Sequence, residues 1–298
     1  MSQTVPSSAS VWIMAARPRT LPAAAAPVLI GFALAWRAGV FYWPAALACL
    51  FISLLMQIGA NFANDLFDNE RGSDTPDRLG PTRVTAAGLI SPARLKWGLV
   101  LVFGLAGLLG LYLTWFRGWP VLVLGLLIIL GALAYTGGPF PYGYHAMGDV
   151  FVFLFFGLAA TCGTYYAQSG TVPPVVIWAS EPVGLLIVNI LVVNNTRDIE
   201  TDTAANKRTL AVVFGRQAMY FEYLLCLCLA YLVPVGMWML GLSSWGGMLS
   251  WLSLPLAFQI GHEFMTVSGR QLNKTLGGTA QLALVFAGLF SLGLALSG

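Results

Sequence analysis

The sequence predicts an all-α fold: a polytopic membrane bundle of about nine transmembrane helices around a central cavity, with the N-terminus in the cytoplasm. Of its 298 residues, 58% are hydrophobic and only 9% are charged, whereas about 25% of an ordinary soluble domain is charged. The apolar residues form continuous stretches, and a spanning helix needs about 20 of them. Alternating segments of about ten residues do not recur, so helices are favoured over a β-barrel.

Nine apolar stretches predict the helices, and together they fill a single transmembrane domain over residues 1–298. Their expected positions are 21–36, 43–63, 96–116, 119–136, 147–168, 182–196, 218–240, 245–266 and 276–297. Lys and Arg are enriched in cytoplasmic connections. A cytoplasmic N-terminus leaves thirteen of them inside and only Arg37 and Arg117 outside. The first 20 residues lack the pattern of a cleaved signal, so we expect insertion to rely on the first spanning helix.

Charge and cysteine content exclude several other classes of protein. The net charge is +3, but the basic residues form no continuous patch, so no nucleic-acid partner is expected. The four cysteines lie in apolar runs, where they behave as small hydrophobic residues and not as a disulfide or zinc framework. The two histidines have no ligand spacing between them.

Eight of the twelve acidic residues lie in two cytoplasmic connections. The first acidic segment, residues 61–92, reads NFANDLFDNERGSDTPDRLGPTRVTAAGLISP, and the second, residues 194–215, reads NNTRDIETDTAANKRTLAVVFG. In both, an Asn stands four residues before an Asp, at an offset of 133 residues, which is typical of an internal repeat whose halves face one cavity. Acidic residues contribute little to membrane topology, so their clustering indicates a chemical role.

Both acidic segments predict a Mg²⁺ site. The polar side chains stand at i, i+3, i+4 and i+7 in the first segment and at i, i+4 and i+8 in the second, so each set gathers on one face of a continuing helix. Carboxylate and amide oxygens are hard ligands that suit Mg²⁺, which takes its remaining ligands from water and substrate phosphate. The metal ligands predicted in this way are Asn61, Asn64, Asp65, Asp68, Asn194, Asp198 and Asp202.

Basic residues are interleaved with these acids, as expected if a polyanion is held between metal and base. The candidate diphosphate-binding residues are Arg71, Arg78, Arg83, Arg197, Lys207 and Arg208. A diphosphate gripped in this way becomes a better leaving group, so an allylic diphosphate would ionise. The carbocation needs a dry chamber lined by aromatic rings, for which Tyr135 is a candidate. Arg17 and Arg19 precede the first spanning helix and serve either as topological anchors or, with Tyr135, as contacts for the acceptor.

These residues resemble the UbiA-type superfamily of intramembrane aromatic prenyltransferases, whose mark is two Asp-rich motifs after the second and sixth helices. The motifs here are NDLFDNERGSD and NTRDIETD. Within the superfamily the chain is most similar to the 1,4-dihydroxy-2-naphthoate prenyltransferase branch, through ARPRTLPAAAAPVLIG, GPTRVTAAGLIS and YTGGPFPYGYHAMGD. The 4-hydroxybenzoate branch carries a Lys-Arg pair where this chain has Gly137, Gly138 and Pro139, and Asp149 stands where the resemblance leads us to expect Glu.

The resemblance implies Mg²⁺-dependent transfer of a polyprenyl chain from its diphosphate to 1,4-dihydroxy-2-naphthoate, with loss of the ring carboxylate, giving demethylmenaquinone. It adds Asp74 to the metal ligands and makes Asp65, Asp68, Asp198 and Asp202 the candidate catalytic residues. The missing transit signal favours a bacterial inner membrane, and the position of both acidic segments in cytoplasmic connections predicts an active site that faces the cytoplasm. Prenylation of another acceptor, such as 4-hydroxybenzoate or homogentisate, stays an alternative, and so does a secondary transporter. The sequence leaves the prenyl chain length and the oligomeric state open.

Overall fold

The computed structural model describes residues 7–73 and 78–296, and every regular element in these two ranges is helical. This confirms the all-α class. The α-helices are α1 (Ser8–Ala16), α2 (Leu21–Arg37), α3 (Trp43–Glu70), α4 (Pro92–Arg117), α5 (Trp119–Ala134), α6 (Gly148–Val152), α7 (Ala160–Ser169), α8 (Pro174–Arg197), α9 (Ile199–Ala204), α10 (Leu210–Met239), α11 (Leu254–Thr266) and α12 (Leu272–Leu296). A π-helix, Phe153–Ala159, joins α6 to α7 without interruption.

Seven segments of the described chain are long and apolar enough to span a membrane, and α5 is a shorter apolar helix. The chain is therefore a multi-pass membrane protein. The expected count of nine is not confirmed, because the stretch 245–266 is divided into a 3-10 helix, Trp245–Ser253, followed by α11. Within the 3-10 helix, Ser250 donates to Gly247 O and Ser253 to Ser250 O, both three residues back.

The helix α1 precedes the first predicted span. It begins where the Ser7 hydroxyl accepts a hydrogen bond from Ser10 N at 3.3 Å, which is the usual N-cap arrangement. Val11 is buried, and the Trp12 ring lies 5.6 Å from the ring of Phe62 on α3. These contacts hold α1 across the end of α3.

The main hydrophobic core lies between α2, α8, α10 and α12. A close backbone approach joins the π-helix to α8, where a Cβ on Gly157 would lie 2.9 Å from Gly184 Cα. Glycines at such positions let two backbones approach closely, as is common between membrane helices.

Most of the polar connections meet at one end of the bundle. Here α3 ends at Glu70 and α8 ends at Arg197, while α4, α6, α10 and α12 begin; we call it the motif end. The two arginines assigned to the other side lie at the opposite end, where Arg37 donates to Leu242 O and Arg117 to Ala167 O. The helix directions therefore agree with the division of charges predicted from the sequence.

We expect Gly157→Ala to lower the melting temperature in detergent by several degrees, because the added methyl group would press two backbones apart, at a cost of about 1–3 kcal/mol. Gly104→Ala is the matched control, since a Cβ there meets nothing within 4 Å. Equal melting temperatures for the two variants would contradict the close approach.

A candidate active site at the motif end

The first acidic segment continues α3 through its last two turns, as the sequence predicted. Asn61, Asp65 and Asp68 are all buried, and Asp65 and Asp68 retain only 1% and 4% of their surface. Charged groups are costly to bury unless they are paired or hydrogen-bonded. Both carboxylates are satisfied by the chain that follows the helix.

Asp65 holds the returning loop by its backbone. One carboxylate oxygen accepts from Val84 N at 3.0 Å, and the other accepts from Thr85 N at 3.1 Å and from the Thr85 hydroxyl. These hydrogen bonds satisfy both oxygens of a carboxylate that is buried from water. Asp65 thereby fixes the turn that carries the neighbouring Arg83.

Asp68 binds a base and a phenol. Arg83 lies 2.5 Å from Oδ2, and the Tyr144 hydroxyl donates to Oδ1 at 2.8 Å. Burial and the negative charge of Asp68 raise the pKa of Tyr144 well above its usual value, so the phenol stays protonated and remains a donor. Arg71 and Lys207 each lie 5.5 Å from the centre of the Tyr144 ring. Tyr144 is not among the site residues predicted from the sequence. The one feature that could have identified it is its place in the YTGGPFPYGYHAMGD run.

The second acidic segment begins where α8 ends. The helix breaks at Asp198, which separates α8 from α9, yet Asp202 N still donates to Asp198 O at 2.7 Å, so the predicted i to i+4 relation is kept. Arg197 is almost fully buried and donates to both carboxylate oxygens of Asp198. It also donates to Asn194 at 2.9 Å and to Asn273 on α12 at 2.7 Å.

Asp202 and Lys207 form the third acid–base pair, 3.4 Å apart. Burial raises the pKa of Asp202 to about 6. The positive charge of Lys207 lowers this pKa, and the negative charges of Asp198 and Asp68 raise it further. Burial lowers the pKa of Lys207, but Asp202, Asp68 and Asp198 together outweigh burial and raise it overall. Because Asp68 belongs to the other acidic segment, the two segments share one electrostatic environment.

Three predicted residues make contacts to neighbouring structure. The Asn61 amide donates to Ala16 O and to the Thr20 hydroxyl, each at 3.0 Å. The Asn64 amide oxygen accepts a hydrogen bond from the Thr136 hydroxyl at 3.0 Å. Arg71 donates to Thr136 O at 3.0 Å and to Gly138 O at 2.6 Å. Their roles as metal or diphosphate ligands stay predictions, and Asp74 lies outside the described residues.

Two predicted basic residues, Arg78 and Arg208, lie in different parts of the motif end. A Cβ on Gly80 would lie 2.7 Å from the Arg197 guanidinium and 3.3 Å from that of Arg78, so these two bases flank the same loop. Arg208 N donates to Tyr144 O at 3.0 Å, which places Arg208 beside the first acidic segment.

The candidate acceptor residues are separated in the structure. Arg19 lines a polar cleft with Glu263, Arg270 and Lys274, whereas Tyr135 lies within electrostatic reach of Asp68 and Asp202. Arg17 ends α1 with a left-handed backbone, φ 51°. Tyr135 therefore adjoins the acidic pairs, whereas Arg19 lies at the separate polar cleft.

An apolar cavity of about 530 Å³ extends from the site into the bundle. Along α3 its wall runs from Ala60 to Cys49, about 16 Å at 1.5 Å per residue. Near its polar end Gln57 donates to the same Thr20 hydroxyl that accepts from Asn61. Four leucines that line it are also exposed on the outside of the bundle, so the cavity opens sideways; they are Leu111, Leu122, Leu126 and Leu154.

A row of aromatic rings connects the acidic pairs to this cavity. Tyr135 packs on Tyr142 at 5.3 Å, Tyr142 on Phe151 at 4.3 Å, and Phe151 on Phe155 at 6.0 Å between ring centres. Phe155 lines the cavity. The faces of such rings attract cations.

The donor set fits a hard divalent cation, although the described residues contain no preformed group of three metal-binding acids, cysteines or histidines. Asp202 Oδ2 is buried and has no hydrogen-bond partner among the described residues. The other carboxylates are held by Arg83, Arg197 and the loop amides. These oxygens are the ligand type that Mg²⁺ prefers, and each lies beside a base suited to phosphate.

We expect Thr85→Val to lower the free energy of unfolding by about 1–3 kcal/mol, because it removes the hydroxyl that caps the buried Asp65 carboxylate. Thermal unfolding in detergent and limited proteolysis after residue 78 measure the effect. Thr203→Val is the control, since that hydroxyl is exposed and donates only within its own helix. If both variants melt together, Asp65 does not anchor the loop through Thr85.

Comparison with known proteins agrees with this architecture. The sequence is 36% identical to a 1,4-dihydroxy-2-naphthoate octaprenyltransferase of Haemophilus influenzae over 95% of both chains. It is 42% identical to the protein of the same name from Mycobacterium tuberculosis, over 72% of this chain and 74% of that one. A UbiA homolog from Archaeoglobus fulgidus bound to GPP and Mg²⁺ has the same fold, with a TM-score of 0.67, 14% identity and coverage of 95% of this chain and 100% of that one.

The model of the UbiA prenyltransferase family matches residues 24–276, which contain the whole of both acidic segments and the aromatic row. This match covers most of the chain, and the first relative matches nearly end to end. The chain belongs to the UbiA prenyltransferase family.

Proposed function

We propose that this protein transfers a polyprenyl chain from polyprenyl diphosphate to 1,4-dihydroxy-2-naphthoate, with Mg²⁺ and with loss of the ring carboxylate, giving demethylmenaquinol, the reduced form of demethylmenaquinone. The observation that carries the proposal is the meeting of two acidic segments, each paired with bases, at the mouth of an apolar cavity. The names of the Haemophilus and Mycobacterium relatives support the choice of acceptor.

The acidic pairs supply the diphosphate site. Bound Mg²⁺ would neutralise charge that develops on the diphosphate as the carbon–oxygen bond breaks. Asp68, Asp198 and Asp202 are the proposed ligands from this part of the site. Each is already paired with a base, so Arg83, Arg197 and Lys207 stand where phosphate oxygens can replace the carboxylates as their partners.

The cavity receives the prenyl chain. Its apolar wall suits a hydrocarbon, and its sideways opening faces the surroundings that the outer leucines contact. The allylic end of the chain then lies near the motif end, beside Tyr135 and the ring row that starts there. These rings stabilise positive charge and exclude water from it.

We further propose that the chain works as one domain in the bacterial inner membrane, with the motif end in the cytoplasm. The supporting observation is that Arg37 and Arg117 lie at the end away from both acidic segments, while the other bases follow the distribution typical of cytoplasmic connections.

The deciding assay supplies the purified protein in lipid with a labelled polyprenyl diphosphate, Mg²⁺ or EDTA, and either 1,4-dihydroxy-2-naphthoate or 4-hydroxybenzoate. We expect labelling of the naphthoate alone, and only with Mg²⁺. Asp68→Asn and Asp198→Asn should each lower turnover by at least about 100-fold, the usual scale for losing a group that stabilises developing charge. Arg37→Ala, at the opposite end, should change turnover less than about twofold.

Labelling of 4-hydroxybenzoate would contradict the proposed acceptor but would still support prenyl transfer as the reaction. Full activity of either Asp variant would contradict the two-segment site. Well-inserted protein that labels neither acceptor would favour a transporter, for which a flux assay with the same lipid vesicles is the next measurement.

A single substitution in the wall of the cavity can test whether it holds the prenyl chain. Gly110 lines it, and a Cβ there meets nothing within 4 Å, so Gly110→Phe should fill free space without displacing the backbone. We expect transfer from long polyprenyl diphosphates to fall at least about tenfold while transfer from geranyl diphosphate is retained. Gly104→Phe, on the same helix but outside the cavity lining, is the control. Equal loss for long and short donors would place the chain elsewhere.

A further inference from the structure

A second polar cluster lies between α5, α6, α8 and α10. Asp149, the second residue of α6, retains 6% of its surface, and its Oδ1 is buried without a hydrogen-bond partner among the described residues. Among the described residues, no charged or hydrogen-bonding group of the acidic segments bonds to this oxygen. An ionisable side chain left in this state within a spanning segment is costly and is usually retained for function.

Asn195 points to the same place from α8. A Cβ on Gly148 would lie 3.2 Å from the Leu191 side chain, so the Leu191 face of α8 looks onto the start of α6. Asn195 follows Leu191 by four residues and therefore shares that face. It is 2% exposed, and its Oδ1 is likewise buried and unpartnered in the described chain.

Two further groups complete the cluster. The Tyr135 hydroxyl would lie 3.6 Å from a Cβ on Gly148. Glu222 lies on α10, about 10 Å along the helix beyond the kink at Gly215, and interacts electrostatically with Asp149. We call Tyr135, Asp149, Asn195 and Glu222 the α6 polar pocket.

The chemistry of the α6 polar pocket selects its ligand. Two carboxylates and an amide oxygen accept hydrogen bonds, so the ligand must bring donors such as ring hydroxyl groups. A ligand carboxylate would be repelled from Asp149 and Glu222 and directed towards the bases of the motif end. The aromatic row that starts at Tyr135 provides flat apolar faces for a ring. Tyr135 also lies within electrostatic reach of Asp68 and Asp202, so a ring held here adjoins the proposed diphosphate site.

We propose that the α6 polar pocket binds the hydroxyl groups of a dihydroxy aromatic acid, and that Asp149 takes one hydroxyl proton as the ring attacks the prenyl carbon. This inference rests on the proposed function and deepens it by naming the acceptor site. Glu222, half-buried on α10, adds a second acceptor for the same hydroxyl groups.

The step balances without an outside reactant. A new bond forms between the allylic carbon and the ring carbon that bears the carboxylate, while the allylic carbon–oxygen bond breaks and leaves its electron pair on the diphosphate. The neighbouring hydroxyl becomes a carbonyl and gives its proton to Asp149. Carbon dioxide then leaves, its bonding electrons restore the aromatic ring, and the proton returns to the oxygen. No net proton is consumed, so the single buried carboxylate of Asp149 suffices to carry it.

The test compares Asp149→Asn and Glu222→Gln with the wild-type protein in lipid nanodiscs. Three quantities are measured: turnover, binding of polyprenyl diphosphate with Mg²⁺, and fluorescence titration with 1,4-dihydroxy-2-naphthoate or its 1,4-dimethoxy analogue under nitrogen. For Asp149→Asn we expect kcat to fall at least about 100-fold, diphosphate binding to change less than about twofold, and dihydroxynaphthoate binding to weaken about tenfold without a change for the dimethoxy analogue. Glu222→Gln should weaken the same ligand and slow turnover about tenfold.

Glu263→Gln is the matched control, because that carboxylate pairs with Lys274 and lies outside the pocket. The proposal would be overturned if Asp149→Asn and Glu222→Gln both kept the wild-type kcat and the wild-type affinity for dihydroxynaphthoate. It would also be overturned if the variants bound dihydroxynaphthoate and its dimethoxy analogue with equally reduced affinity. If Asp149→Asn does not insert, the titration of Glu222→Gln decides. If the wild-type protein prenylates no naphthoate, the proposed function fails, whereas the hydroxyl-dependent titration still confirms or refutes the pocket.

Discussion

The buried guanidinium of Arg197 joins the three parts of the chain that form the candidate site. With 1% of its surface exposed, it cannot be solvated by water, so its N–H groups must find acceptors in the protein. Asp198 and Asn194 come from the end of α8, and Asn273 comes from the start of α12. Asn273 in turn donates to Leu79 O. One charge therefore fixes two helix ends and the loop of the first acidic segment.

At the motif end, the charged side chains that hold the fold together are also the ones proposed to bind the metal and the diphosphate. Three acid–base pairs neutralise one another there: Asp68 with Arg83, Asp198 with Arg197, and Asp202 with Lys207. Removing one member of a buried pair leaves an uncompensated charge, which costs about 3–5 kcal/mol. Substitutions in this region consequently affect stability as well as turnover, and isosteric amide variants separate the two effects better than alanine does.

Much of this arrangement follows from local sequence, and the rest depends on distant contacts. Helical spacing alone predicted that α3 would carry Asp65 and Asp68 on one buried face. The roles of Tyr144 and Asn273 were missed, because their partners lie 76 residues away along the chain and no spacing rule connects such positions. The division of 245–266 was missed for a different reason: hydropathy reports the length of an apolar stretch and does not distinguish a 3-10 helix such as Trp245–Ser253 from an α-helix.

The sideways opening of the cavity has a consequence for selectivity. Leu111 and Leu126 belong both to the cavity wall and to the outer surface of the bundle, so a guest longer than the cavity does not have to fold back inside it. Its tail can continue among the lipid chains, where methylene groups gain the same transfer free energy as in the protein interior. Such a site sets no maximum length for its guest. The bilayer is then the outer half of the binding site, and its thickness and fluidity become part of what the protein recognises.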